Sequence, residues 1–274
     1  MSLIFGPLFL SFASCAATPA VAHVSDIGAL VCVIFAILFF FAILAIGIPL
    51  EQRGHRAMDE ATLARLQGQH DRAIALAQKM LRIVFRRDIR MRAYHMLGLV
   101  AESRADFAEA EELFELAEKP FAAFLQSHPA GRAARALVRA HRTIALVGAR
   151  RLDEADACLR SAWDDLQATM RPAPALSAGS PAWLAMLDGA PRDPRTLVVV
   201  ATIVTLAARG RAAEAADCEK RESYYVGMAT PPERALLDAA RSLASRGAGP
   251  HRAPAMAQPA DNPWNAWAAR VFST

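Results

Sequence analysis

The chain has 274 residues, 54% of them hydrophobic, 7% aromatic and 21% charged, with 31 Lys and Arg against 27 Asp and Glu. Abundant Ala and Leu with few aromatics is the composition of a helical protein whose helices pack closely, in a chain long enough to bury a sizeable core. The four cysteines, Cys15, Cys32, Cys158 and Cys218, show no metal or redox spacing, which does not suggest an oxidised secreted framework and fits a reducing compartment.

Charge is unevenly distributed. Residues 1–50 contain no Lys or Arg and only Asp26 as an acid, so the downstream balance is 31 basic against 26 acidic residues. Lys79, Lys119 and Lys220 are the only lysines; a GC-rich coding bias explains the arginine excess more simply than anion recognition does. Residues 2–22 are apolar, interrupted by Pro7 and Pro19, and end in small residues at Ala20 to Ala22 that fit a signal-peptidase site. The absence of a basic stretch before them counts against cleavage. Ser14 and Cys15 invite a lipoprotein reading, against which stand Phe12 at the position where Leu is preferred and the same lack of positive charge. Residues 1–26 are therefore an apolar leader or a first hydrophobic segment.

Residues 27–50, IGALVCVIFAILFFFAILAIGIPL, form an uncharged run of 24 residues. At ~1.5 Å per residue a helix of that length crosses a ~30 Å hydrocarbon core. The run predicts a transmembrane helix. Arg53, Arg56 and Arg65 follow it and nothing basic precedes it, so the positive-inside bias places the C-terminal side in the cytoplasm. A cleaved leader with one span, a two-span hairpin and a single span with its N-terminus outside are all oriented by this charge. An uncleaved anchor with a translocated domain is the rival. The localisation expected is a bacterial inner membrane with a cytoplasmic domain.

From Ala57 onward apolar residues recur with the helical period. Ala61 and Ala64 take small positions in a first helix, Gly68 turns the chain, and Ala73 and Ala77 take small positions in a second. The next hairpin, Tyr94 to Pro120, is the most regular. Tyr94, Leu97 and Gly98 share one face of its first helix, the chain turns near Arg104 to Asp106, and Ala110, Phe114 and Ala117 share one face of its second. A third hairpin uses Arg132 to Gly148 and Leu152 to Leu166, with Ala155, Leu159 and Ala162 at the same offsets. A fourth uses Leu197 to Ala208 and Ala212 to Tyr225, turning at Gly210 with Ala215 at the small position. The equivalent alanines, Ala73, Ala110, Ala155 and Ala215, are separated by 37, 45 and 60 residues.

This order of aromatic, Leu-Gly, small, bulky and small residues resembles the tetratricopeptide repeat, whose ideal period is about 34 residues. Ala101 stands where that family places a second aromatic residue, the inter-helix glycine is missing from the second hairpin, and Pro120 arrives about two residues early. The resemblance implies an all-α fold, an α-solenoid of three to four hairpins behind the transmembrane helix, and a function in binding other proteins. The repeats occupy 57–170. A Pro-rich linker or insertion follows at 171–194, with a short helix expected at Trp183 to Leu187. A further hairpin and cap fill 195–246, the cap formed by Pro231 to Ser245. The tail, 247–274, is Pro-, Gly- and Ala-rich to Asn262 and ends in PWNAWAARVFST, where Trp264, Trp267, Val271 and Phe272 share a helical face. This face docks back on the repeats, binds a partner or touches the bilayer.

The chain contains no phosphate-binding glycine loop, zinc-protease motif, paired CxxC or nucleophile elbow. Its histidines are scattered, so neither an enzyme, a metal nor a cofactor is expected; a catalytic alternative would need His95 or His141 beside a carboxylate in a pocket. Arg132, Arg135, Arg139 and Arg142 form a basic stripe on one helix, preceded by Glu109, Glu111, Glu112, Glu115 and Glu118. The stripe either pairs with those acids or forms a groove for another protein or an acidic peptide segment. The partner-binding residues expected are Arg92, His95, Arg135, Arg139 and Arg142. A second basic cluster, Lys79, Arg82, Arg86, Arg87, Arg90 and Arg92, lies close in sequence to the apolar run and gives the alternative reading, a sensor of anionic lipid at the bilayer surface. Nucleic acid is not expected, because no aromatic stacking platform accompanies the charge.

Overall fold

A computed structural model describes residues 26–83, 87–119, 129–170, 193–247 and 263–272; in the first helix, side chains are described at 33–39, 41 and from 52 onward. The expected leader, most of the 171–194 linker with its short helix, Pro120, Arg86 and the tail up to Asn262 lie outside the described residues, as does the side chain of Arg87. Among the described residues the chain is all-α: α1 (Asp26–Leu66), α2 (His70–Ile83), α3 (Arg87–Ser103), α4 (Phe107–Glu118), α5 (Pro129–Gly148), α6 (Leu152–Met170), α7 (Pro194–Ala208), α8 (Ala212–Arg221), α9 (Ser223–Gly227), α10 (Pro231–Gly247) and α11 (Pro263–Phe272). The chain divides into two compact units, 1–53 and 54–274. In the first, the described large side chains between Val33 and Phe41 are 46–71% exposed. Among the described residues no helix is long and apolar enough to cross a membrane.

The second unit is a succession of helix hairpins closed by one device. In each, the last turn of the first helix ends with a residue in the left-handed region: Gly68 (φ 75°), Ala105 (φ 61°), Arg150 (φ 63°) and Gly210 (φ 74°). The two bonds of a Schellman turn accompany every one of them. At Ala105, for example, its own N–H reaches the Glu102 carbonyl at 2.9 Å and the Asp106 N–H reaches Ala101 at 3.0 Å. The intervals between these residues, 37, 45 and 60, are those between the equivalent alanines. Each alanine lies five residues beyond its turn, in the first turns of the returning helix. Ala73, Ala110 and Ala155 are fully buried and Ala215 nearly so. The glycine expected at these turns is absent from two of them, and Ala105 and Arg150 adopt its conformation.

Small residues let the helices of a hairpin approach, and aromatic rings fill the space beside them. A Cβ on Gly98 would stand 2.7 Å from Phe114 Cε1, and one on Gly148 2.5 Å from Phe107 Cγ. Phe114, Ala110 and Ala117 are wholly buried. One hydrophobic cluster runs from α3 through α10 and takes in Trp267, Ala268 and Val271 of α11. A smaller one joins Met58 and Ala61 of α1 to Ala77 and Met80 of α2 and to Ile89, Ala93 and Met96 of α3. Local signals set the helix ends: Asp106 accepts the Glu109 N–H at 3.3 Å at the start of α4, and Asp193 accepts the Arg195 N–H at 2.9 Å ahead of Pro194. At α10, Glu233 reaches back to the Thr230 N–H at 2.7 Å, half of a capping box.

Two boundaries differ from the sequence reading. The helix expected from Ala212 to Tyr225 is broken at Glu222, whose φ and ψ of −101° and 24° leave the helical region. Glu222 accepts two hydrogen bonds from Arg195, at 3.1 and 3.0 Å, and the same guanidinium lies 4.6 Å from the Tyr225 ring centroid. A contact across the hairpin thus ends α8 where its own sequence does not. At the other end of the chain, the expected span and the first repeat helix are one continuous α1 of 41 residues.

Substituting Gly98→Ala is expected to lower stability by about 1–3 kcal/mol, because the buried Phe114 ring cannot retreat from the added methyl. Ala105→Gly is expected to raise it by about 1 kcal/mol by removing the cost of a Cβ in the left-handed region. Urea unfolding of both variants checks the pair; a loss of stability in Ala105→Gly would contradict the turn geometry.

Candidate functional site

The five residues expected to bind a partner sit on the first helices of successive hairpins, and their surroundings divide them. Arg92 is 6% exposed; its guanidinium donates to Asp59 of α1 at 2.6 Å and lies 3.3 Å from His55 Nδ1. His95 is 1% exposed, with its ring 5.6 Å from Phe114 and 5.5 Å from His141. His141 in turn stacks on Phe114 at 5.5 Å. The arginine stripe of α5 faces carboxylates on both flanking helices. Arg135 makes a forked pair with Asp165 of α6, its Nε 2.7 Å from Oδ2. Arg139 donates to Asp165 at 2.8 Å, to Glu118 of α4 at 3.1 Å and to the Ser161 carbonyl at 3.2 Å. Arg142 donates to Glu111 at 2.9 and 2.6 Å and to Glu115 at 3.0 Å. Arg132 donates to the Ala168 carbonyl at 3.1 Å.

The result is a continuous chain of ion pairs through α4, α5 and α6, extended by Arg151, which reaches Glu111 at 2.9 Å. Asp165 and Glu111 are almost fully buried and the arginines about one-fifth exposed, so the charges are held where water screens them weakly. Burial opposes the charge on Arg142, but the Glu111 hydrogen bond and the nearby Glu118 outweigh it and hold its pKa above the ordinary value. Sequence spacing alone brings out the stripe and the Glu111, Glu115 and Glu118 side of it. It misses Asp165 and Asp59, which lie 30 and 33 residues from their arginines and carry no distinguishing neighbours. In the second basic cluster Lys79 and Arg82 are exposed, whereas Arg90 turns onto Tyr94, 3.2 Å from its hydroxyl.

A cavity of about 380 Å³ lies beside the first helices of all four hairpins, bordered by Arg65 and Leu66 of α1, by Leu99, Ser103, His141, Ile144 and Leu197, and by α10 and the indoles of α11. His141 Nδ1–H donates to the Glu102 carboxylate at 2.9 Å on this wall. The hydroxyls bordering the cavity are committed elsewhere: Ser103 donates to the Val100 carbonyl at 2.7 Å and Thr230 to Glu233 at 2.8 Å. Among the described residues no group of three His, Cys, Asp or Glu is placed to hold a metal ion. Burial pushes the Cys158 thiol up to about 11, far from a reactive thiolate at neutral pH. The chemistry this wall offers a ligand is an apolar surface with a few fixed polar groups.

Asp165→Asn is expected to cost about 2 kcal/mol, since it leaves Arg135 and Arg139 without their shared anion. Glu60→Gln, which breaks an exposed pair with Arg72, is expected to cost less than about 0.5 kcal/mol. Denaturant unfolding of the two side by side separates a structural network from surface charge; equal effects would refute that separation. Comparisons of this chain with protein-family models, with curated proteins and with solved structures find no match.

Proposed function

We propose that the chain is a membrane-anchored, tetratricopeptide-like scaffold whose stacked hairpins form an α-solenoid and hold a partner protein at the cytoplasmic face of the membrane. The observation that carries this reading is the apolar cavity along α3, α5 and α7. In a stack of hairpins the first helices line the concave face, and recognition there needs no chemistry on the ligand. The repeated left-handed turns and buried alanines support a common hairpin unit. Arg92, His95, Arg135, Arg139 and Arg142 enter this reading as the residues that hold the hairpins in register behind the binding surface. The guanidiniums an acidic peptide would need already face carboxylates. Contact with the partner falls instead to Leu99, Ser103, His141, Ile144 and Leu197.

The membrane anchor rests on the uncharged 27–50 run. It lies within one continuous helix, and its described large side chains are exposed. The exposed apolar side chains described at 33–39 and 41 support an apolar surrounding for this stretch. The lipid-sensing alternative draws on the exposure of Lys79 and Arg82.

Alkaline carbonate washing of membranes containing the full chain is expected to leave it in the pellet, and Leu38→Arg with Phe39→Arg to release it; a wild-type chain in the supernatant would remove the anchor. Affinity capture of the membrane-embedded chain is expected to recover a partner that Ser103→Trp, which fills the cavity, no longer retains. Lys79→Glu with Arg82→Glu is expected to leave binding to anionic vesicles unchanged; a salt-sensitive loss would favour the lipid reading instead.

A further inference from the structure

The last described helix is seated on the surface just assigned to a partner. α11 packs on α10 and α5, burying Trp267, Ala268 and Val271. Trp264 and Phe272 rest partly buried on the same core. The two indoles meet edge to face at 6.0 Å. The indole N–H of Trp267 donates at 2.7 Å to the carbonyl of Glu102, and Arg270 reaches the carbonyl of Arg104 at 3.5 Å. Both acceptors lie at the C-terminal end of α3, where the helix dipole concentrates negative potential, and the Glu102 carbonyl takes the indole in addition to the Ala105 N–H. The seat therefore takes donors set in an apolar helix face, with Arg65, Glu102 and Glu233 as the charged groups that line the cavity beside it.

Three features make α11 a replaceable occupant. It has ten residues, too few to remain helical alone in water, so its helix persists only while seated. It leaves the cavity of about 380 Å³ unfilled at its side, with Trp264 and Trp267 on the cavity wall. Its place in the same chain as α10 raises its local concentration at the seat, which compensates for a small contact.

We propose that this wall is a receptor for an amphipathic, cationic helix of a partner protein, with aromatic residues three apart and an aliphatic residue four further on, and that α11 is the chain's own occupant, displaced when the partner binds. The proposal rests on the scaffold reading and gives its partner a chemistry. Trp264, Trp267 and Val271 define the spacing, and Arg270 supplies the charge. A partner helix longer than α11 gains by extending into the cavity that α11 leaves open.

The probe is a fluorescent peptide of residues 261–274 added to the full chain in detergent. Trp267→Ala with Val271→Asp, which unseats α11, is expected to bind the peptide at least tenfold more tightly than the wild type, and Ser103→Trp added to that variant is expected to abolish the gain. Equal binding by wild type and a cooperatively folding variant would overturn the proposal. Hydrogen exchange on the wild-type chain needs no variant: amides of 264–272 are expected to exchange faster than those of α10, and faster still with excess peptide. Protection equal to that of α10 and unmoved by peptide would be fatal to it. A wild-type dimer that the peptide dissolves would instead assign the second occupant to another copy of this chain and overturn the partner. A captured partner indifferent to the α11 variant would defeat this inference and leave the scaffold standing. Peptide exchange without a captured partner would overturn the partner named here together with the scaffold reading.

Discussion

The second unit depends on a backbone constraint repeated four times. A helix that turns back on itself within three residues must satisfy the carbonyls of its last turn and reverse direction together, and one residue in the left-handed region does both. Gly68 and Gly210 meet this demand without strain, while Ala105 and Arg150 carry a Cβ there. Once the reversal is fixed, the returning helix is delivered in the same register each time. A buried alanine then faces the first helix five residues later. Close approach and the seating of Phe114 against Gly98 follow from that register, while Phe107 against Gly148 packs the second hairpin on the third.

The ion-pair chain through α4, α5 and α6 acts both within the third hairpin, through Asp165, and on its stacking against the second, through Glu111, Glu115 and Glu118. Much of the Coulombic gain of such pairs is cancelled by the loss of hydration. What they supply is a cation for each buried carboxylate: Arg135 and Arg139 for Asp165, and Arg142 for Glu111. Arginine suits this role because its fork spans two carboxylates while its stem stays in apolar surroundings. Arg139 does so, bridging α4 to α6 at 3.1 and 2.8 Å. Of the two sequence readings of the stripe, pairing with the acids of α4 or a groove for a partner, the ion pairs follow the first and add Asp165 of α6.

The ion pairs and the cavity are connected through α5. Its arginines turn toward α4 and α6, while His141 and Ile144 of the same helix border the space in which α11 sits. One helix therefore serves as brace and as wall. His141 illustrates the division. Its ring stacks on Phe114 in the core of the neighbouring hairpin, and its Nδ1 holds Glu102, whose backbone carbonyl receives the Trp267 indole. Occupation of the wall by α11 is tied in this way to the packing of the most regular hairpin.

The all-α class, the hairpin sequence, the turns at Gly68, Arg104 to Asp106 and Gly210, and the burial of Ala73, Ala110, Ala155 and Ala215 were all legible in the residues. They are written in signals local to a few turns of helix, namely apolar period, small residues at fixed offsets and breakers between them. The uncharged 27–50 run was equally legible as composition. Which carboxylates the arginines choose was decided only in three dimensions. Glu111 and Asp165 stand on either side of α5 at similar separations in sequence, and the geometry of two stacked helices allots Arg142 to one and Arg135 to the other. The break at Glu222 required Arg195 to arrive from the facing helix. The seat of α11 was the least accessible to sequence: its polar anchor is a backbone carbonyl 165 residues away, and a carbonyl is the same at every residue, so only the fold can single out the one at Glu102.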